Sequence, residues 1–439
     1  MNKTILSLVI LGLISIAVSY ALLNAEDEMN TNTANVPVNV PVIGVSTINA
    51  DNPIKIGVLH SLSGTMAISE TPVVDSTILA IEEINQRGGL LGRKLVPVVV
   101  DGRSDWDAFA AEAERLIVEE KVDVVFGGWT SASRKTMKPV FEKYDHLLFY
   151  PVQYEGLEQS PNIVYTGAAP NQQVLPAIDW AFVNIGSKFF LVGSDYVFPR
   201  SANEIIKEKV AELGGEIVGE EYKLLGDNNF DDVVQKIIET KPDVILNTIN
   251  GDSNLSFFHE LRQKGITPQQ IPTISFSISE NEITHLGTED MEGDYASWNY
   301  FQSISSRDNE KFVNSFKKKF GPHRVTDDPM EAAYVGVYLY AKAVEEAETT
   351  DLALVKEKLR GMTLSAPEGI VGLDSENQHL RKVVRIGQIT HDGQFKIISS
   401  SEEPIDPIPY PKYRTVSEWN EFLDDLYVSW NNKWANEAS

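Results

Sequence analysis

Short apolar runs and amphipathic stretches alternate along the chain from about residue 54 onward. In "IKIGVLHSLSG" (54–64), Ile54, Ile56 and Val58 form a run that ends in small residues, which predicts a buried strand followed by a loop. Val74, Ile78 and Ile81 then recur at helical spacing, and Gly88 and Gly89 close that helix. "KLVPVVVD" (94–101) predicts the next strand, and Phe109, Ala113, Leu116 and Ile117 mark the helix behind it. "VDVVFG" (122–127), a helix over 131–143 and "LLFYP" (147–151) continue the rhythm. It restarts after "APNQQ" (169–173). There "FFLVGS" (189–194), "EIVGEEYKL" (216–224) and "DVILNTING" (243–251) precede helical patterns over 202–213, 231–240 and 255–264, and "TISFSIS" (273–279) follows. Such intervals suit right-handed crossovers, so each block predicts a parallel sheet with helices on both faces. Two blocks predict an α/β protein of two lobes, and ligands of such folds sit beyond the carboxyl ends of the strands, here in the cleft between lobes.

The segments that follow the strands are therefore the candidate site. The first lobe offers "HSLSG" (60–64), "GGWTSAS" (127–133) and "YPVQYEG" (150–156); the second offers "GSDYVFPR" (193–200), "NGDSN" (250–254) and "SISEN" (277–281). Aromatics, hydroxyls, amides and a few carboxylates, with glycine where backbone must come close, suit a clamp for a small polar molecule. Each residue also has a plainer reading. Trp129 and Tyr150 would close the top of a core, Ser131 would cap a helix, and Asp252 would end a turn; Arg134 and Lys135, disfavoured by the helix dipole in a first turn, would lie on a solvated face in preference to pairing with a carboxylate or a ligand. Their joint position at strand ends carries the functional reading.

Composition narrows the possibilities. A chain of 439 residues with 42% hydrophobic positions can bury two cores. A formal net charge of −25 repels phosphate backbones and argues against a nucleic-acid partner. There is no cysteine, which excludes disulfides, thiolate metal sites and a lipidated cysteine anchor. Lys3 ahead of the apolar run 5–23, followed by "NAEDE", predicts a signal peptide ending near Ala25 or an uncleaved membrane anchor over 1–25. Either places the remainder outside the cytoplasm. Residues 26–53, without aromatics, read as a disordered tether. No HExxH, GxSxG, GxGxxG or GxxxxGK[ST] pattern occurs, so catalysis, a metal and a nucleotide cofactor all lack support.

"GGWTSASRK", "LLFYPVQYEGLEQSPNIVYTGAAPNQQ", "GSDYVFPRSAN", "NGDSN", "DPMEAAYVGVYL" and "APEGIVGLDSENQHLRKVVRIGQI" together resemble the urea-binding proteins of urea ABC transporters. These form part of the branched-chain amino acid and amide group of type I periplasmic binding proteins. The resemblance runs from about 54 past 389. It implies two Rossmann-like lobes joined by three hinge crossovers, with 54–169 and 300–365 in the first, 170–299 and 366–400 in the second, and 401–439 as an extension packed on both. It implies a monomer that closes on urea and hands it to ABC permease subunits. It implies Trp129, Thr130, Ser131, Tyr150, Val152 and Gln153 as the first-lobe jaw, and Tyr196, Asp252, Ser277 and Glu280 as the second. Where relatives often carry cysteine this chain has Gly128, a change expected to alter packing more than ligand choice.

Urea has one carbonyl acceptor and four N–H donors, so its site should offer a few donors and several acceptors. The Thr130 and Ser131 amides and the Ser131 hydroxyl are candidate donors; Asp252, Gln153 and the tyrosine hydroxyls are candidate acceptors. Three competitors remain at this stage: a binder of short amides such as formamide or acetamide, an amide-sensing receptor of the same fold, and an enzyme.

Overall fold

In the computed structural model, which describes residues 49–436, Ile54, Ile56 and Val58 are fully buried in strand β1 (Asn49–His60). The expected signal or anchor over 1–25 and most of the expected tether lie outside the described residues. The tether is shorter than expected at its far end, since β1 begins at Asn49. Arg93 explains this by donating to the carbonyls of Asn52 and Pro53 at 2.9 and 3.1 Å.

Four more strands, β2 (Arg93–Asp101), β3 (Val124–Gly127), β4 (Leu148–Tyr150) and β5 (Ile163–Tyr165), complete the first sheet. Its order is β2-β1-β3-β4-β5, parallel throughout. The second sheet takes β6 (Lys188–Ser194), β7 (Glu216–Lys223), β8 (Val244–Thr248), β9 (Thr273–Ser275) and β10 (Tyr295–Trp298) in the parallel order β10-β9-β8-β6-β7. The expectation of parallel sheets fails at its edge. After a small antiparallel sheet of β11 (Thr363–Ala366), β12 (Gly369–Leu373) and β13 (Leu380–Arg381), the strands β14 (Arg385–Ile389) and β15 (Phe395–Ser400) pair antiparallel. Only five residues join β14 to β15, too few for a crossover.

The chain returns to the first lobe through helix Asp328–Ala347, whose Tyr340 meets Phe126 and Phe149 edge-on at 6.1 and 6.2 Å. The stretch 366–381, expected in the second lobe, also packs there: Val371, Leu373 and Leu380 join the core of the first sheet. The three chain crossings meet side by side. Asn299 Nδ2 donates to Gln172 O at 3.0 Å, Gln172 Nε2 to Leu380 O at 2.7 Å, and Lys382 Nζ to Thr166 O at 2.9 Å.

The last described residues form a strap. Helix Val416–Ser429 buries Trp419 and Leu423 against Ala132 and Leu157 of the first lobe and Tyr196 to Ile205 of the second. Leu157 donates its N–H to Pro409 O at 2.7 Å, and Val197 donates to Trp434 O at 3.0 Å. Gly156 makes the first contact possible, because its φ is +70° and an added Cβ would collide with the Pro409 carbonyl oxygen. Gly214, with φ +76° and open space where its Cβ would be, is the matched control. Gly156→Ala is expected to lower stability by about 1–3 kcal/mol and Gly214→Ala by no more than about 1 kcal/mol. Scanning calorimetry of the two variants checks the order.

Candidate functional site

The carboxyl ends of β1 and β3 abut, because Leu59 lies opposite Gly127 and accepts the Gly128 N–H at 2.9 Å. Just past them the chain turns through Trp129 into helix Ser131–Lys143, with Thr130 as N-cap accepting the Ser133 N–H at 3.1 Å. The first amides of that helix have no partner within it and aim beyond the strand ends. Tyr150, at the end of β4, donates its hydroxyl to the Trp129 carbonyl. Trp129, Tyr150 and Val152 are buried walls.

Two expectations about this jaw are corrected. Arg134 and Lys135 do not lie on a solvated face. Arg134 is fully buried, with Nε on Glu158 Oε1 and Nη2 on Glu155 Oε1, both at 2.9 Å, and Lys135 Nζ reaches Glu158 Oε2 at 3.1 Å. Burial opposes ionisation of Glu158, yet Arg134 and then Lys135 pull its carboxyl well below the usual range. The Ser131 hydroxyl is part of this network. It gives its one proton to Glu155 Oε2 and accepts from Arg134 Nη1 at 3.0 Å, so the oxygen-holding donors left at this turn are backbone amides.

The second lobe closes directly onto this wall. Trp129 Nε1 donates to Asn250 Oδ1 at 3.2 Å, and Gln153 Nε2 donates to Phe276 O at 2.7 Å and Ser277 Oγ at 3.4 Å. A carbonyl only accepts, so Phe276 fixes the Gln153 amide with Oε1 turned away; that buried oxygen has no partner among the described residues. Tyr196 is buried opposite, and burial first, then Tyr150 and Glu155, with Glu70 also contributing, raises its phenol above the ordinary range. Its ring packs in one apolar cluster with Ala132 of the first-lobe helix.

Asp252 and Glu280 are placed elsewhere. Asp252 is exposed at the rim and accepts the Thr65 hydroxyl from the opposite lobe, as a latch. Glu280 is buried, takes the Gln302 N–H at 2.7 Å, and faces Asp327 and Asp328 near the hinge; burial, with those two adding, holds its carboxyl well above its ordinary range. Sequence reasoning missed His60, Glu70, Glu155 and Asn250. All but Glu70 stand inside the strand-end segments already singled out; Glu70 is a first-turn acid of helix Ala67–Gln86, one loop farther on.

Residues 54–416 match the family described as "Periplasmic binding protein domain". The chain belongs to the periplasmic binding protein family. Its two-lobed α/β fold is the type I arrangement, and it is a solute-binding protein rather than an enzyme. A Leu/Ile/Val-binding protein homolog from Brucella melitensis is 24% identical over 366 residues, covering 81% of this chain and 93% of that one. The fold recurs in an R. palustris ABC-transporter solute-binding protein solved with 4-hydroxybenzoate, with a TM-score of 0.74, 22% identity, and coverage of 81% of this chain and 98% of that one. A leucine-binding protein of Thermotoga maritima superposes with a TM-score of 0.71 at 21% identity, covering 79% of this chain and 98% of that one. A limonene hydroxylase of Geobacillus stearothermophilus is 34% identical over 136 residues; the match takes in 31% of this chain and spans only 25% of that protein.

In this periplasmic binding protein the two lobes also meet through a proton. Ser279 Oγ contacts Glu282 Oε2 and, at 2.8 Å, Asp327 Oδ2 from the first-lobe side. Glu282 Oε1 accepts Ser69 Oγ at 2.8 Å, and Asp327 Oδ1 accepts the Met330 N–H at 3.1 Å. One hydroxyl proton cannot serve two carboxylates, so one carboxyl must be protonated. Burial, then the Glu282 charge, with Asp328 adding, pushes Asp327 up to about 8 from 3.8. The raised value means that the folded state binds this proton more tightly. The stabilisation is complete below pH 3.8, declines as pH rises, and is gone above about 8. Between pH 6 and 8 the wild type should therefore lose up to about 1.4 kcal/mol per pH unit relative to Asp327→Asn, whose amide N–H reproduces the acid's donor. Thermal midpoints of both proteins across that range check the difference.

Proposed function

We propose that this periplasmic binding protein captures urea between its lobes, outside the cytoplasm, and delivers it to the permease of an ABC transporter. The observation that carries this reading is the Gln153 amide, locked by Phe276 and Ser277 with its oxygen buried and unpartnered among the described residues. A buried acceptor in that state costs about 1–3 kcal/mol until a donor reaches it. The ligand must therefore bring N–H groups. It must also bring an acceptor for the amides at the start of helix Ser131–Lys143, and a planar carbonyl flanked by amino groups does both.

Charge supports the same choice. Arg134 and Lys135, the cations nearest the turn, are neutralised by Glu155 and Glu158, so a carboxylate ligand such as 4-hydroxybenzoate would set its oxygens against Gln153 Oε1 without a side-chain cation to receive it. Leucine needs a large apolar pocket, whereas Tyr150, Trp129 and Tyr196 supply buried flat rings. Among the described residues no helix is long and apolar enough to cross a membrane, so retention at the outer face would fall to the N-terminal segment.

A thermal-shift panel of urea, formamide, acetamide, thiourea, leucine and 4-hydroxybenzoate tests this. Urea at a hundred times its dissociation constant should stabilise the protein by about 2.7 kcal/mol. Gln153→Leu should weaken urea at least about tenfold. A midpoint raised by leucine or 4-hydroxybenzoate and unmoved by urea would overturn the assignment.

A further inference from the structure

Two more bare acceptors belong to side chains at the end of β1 and the start of the helix after it. Glu70 is fully buried, and its Oε2 accepts the Ser61 N–H at 2.8 Å and faces His60 Nδ1 at 3.1 Å. Glu70 Oε1 and His60 Nε2 have no partner among the described residues. A carboxylate oxygen only accepts, so the proton in their contact sits on Nδ1, and in a neutral ring Nε2 is left as a lone pair. Both residues thus hold each other by one atom and present an acceptor with the other.

The pair borders the cleft. β1 delivers His60 and Ser61 next to the Trp129 turn, because its neighbour is β3. From the second lobe, Gly251 comes so close to Thr65 and Met66 that an added Cβ would lie 3.1 Å from Thr65 O and 3.2 Å from Met66 Sδ.

We propose that Glu70, steadied by His60 and Ser61, is the specificity determinant of the cleft and accepts an N–H from the ligand's second amino group. The proposal rests on the urea reading above and deepens it. Gln153 Oε1 would serve one nitrogen and Glu70 Oε1 the other, with the carbonyl toward the helix amides. Acetamide carries a methyl where the second nitrogen stands and leaves the buried Glu70 Oε1 bare, so it is rejected by what it cannot donate. Guanidinium has the nitrogens but offers N–H groups and positive charge to the helix amides, which are themselves donors at the positive end of a dipole.

Titration calorimetry of the wild type with urea, acetamide, 1,1-dimethylurea and guanidinium, and of Glu70→Gln with the first two, provides the test. The wild type should bind urea at least tenfold more tightly than each of the other three. In Glu70→Gln the Ser61 N–H retains the amide oxygen, so an NH2 group points into the cleft where an acceptor stood. Urea should then weaken at least tenfold and acetamide less, collapsing the urea-to-acetamide ratio. Equal weakening of both ligands would mark a merely structural role and overturn the proposal, as would a wild type that binds acetamide or guanidinium as tightly as urea. If the variant does not fold, the wild-type series decides alone. A wild type that binds neither urea nor acetamide overturns this proposal together with the urea reading, whereas urea binding with an unmoved ratio overturns this proposal only.

Discussion

The guanidinium of Arg134 is the fixed point around which the cleft is arranged. It lies fully buried between Glu155 and Glu158, over the rings of Tyr150 and Tyr154 at 4.8 and 4.5 Å, and it donates to Ser131. Through these bonds it ties the loop 151–158 to the first turn of helix Ser131–Lys143. Gln153, Gly156 and Leu157 ride on that loop, so the acceptor in the cleft and the attachment of the strap share one anchor. A buried charge with one partner removed costs about 3–5 kcal/mol, which explains why the loop has little freedom to rearrange. Its burial has a second effect: it withdraws the positive charges of this jaw from the ligand.

With those charges neutralised, the cleft on the proposed reading is defined by acceptors that the protein leaves open. Gln153 Oε1, Glu70 Oε1 and His60 Nε2 each belong to a side chain whose other polar atom is already bonded. The bonded atom fixes orientation, and the free atom follows from it. Selectivity of this kind does not depend on a shaped apolar pocket. It depends on the cost of leaving buried polar atoms bare, which discriminates more strongly than the loss of a methylene contact.

Much of the fold was legible in the sequence because it rests on local periodicity. The strands around Ile56, Val125 and Leu246 are buried on both faces and read as apolar runs, and the functional segments lie at their carboxyl ends. Relations between distant residues were not legible. Arg134 reads as a surface cation until Glu155 and Glu158, more than twenty positions on, fold over it. Ser131 stands after a strand end as its position in the sequence implies, but its hydroxyl is claimed by that network. Asp252 and Glu280 have suitable chemistry and stand at strand ends, yet one lies at the rim and the other beside the hinge. Glu70 was invisible because its role comes from Ser61 and His60 taking one of its oxygens. The third sheet escaped notice because β13 has two residues, too short for a period to show.

Closure joins these parts energetically. The lobes touch directly through Trp129 and Asn250, Gln153 and Ser277, and Thr65 and Asp252, so the closed form has contacts of its own before any ligand arrives. The three free acceptors are buried in this form, and on the proposed reading it is closure that takes them from water. The empty closed state is therefore penalised by the same atoms that the ligand satisfies. A ligand shifts an equilibrium only by its differential affinity for the two states, and here the difference is concentrated in N–H groups that pair with acceptors closure has taken from water. A molecule of the right size without those donors would fill the space and still leave the penalty in place. Selection of the ligand and stabilisation of the closed form thus follow from one feature, and a binding protein that must release its cargo needs the empty closed form to be the unfavourable one.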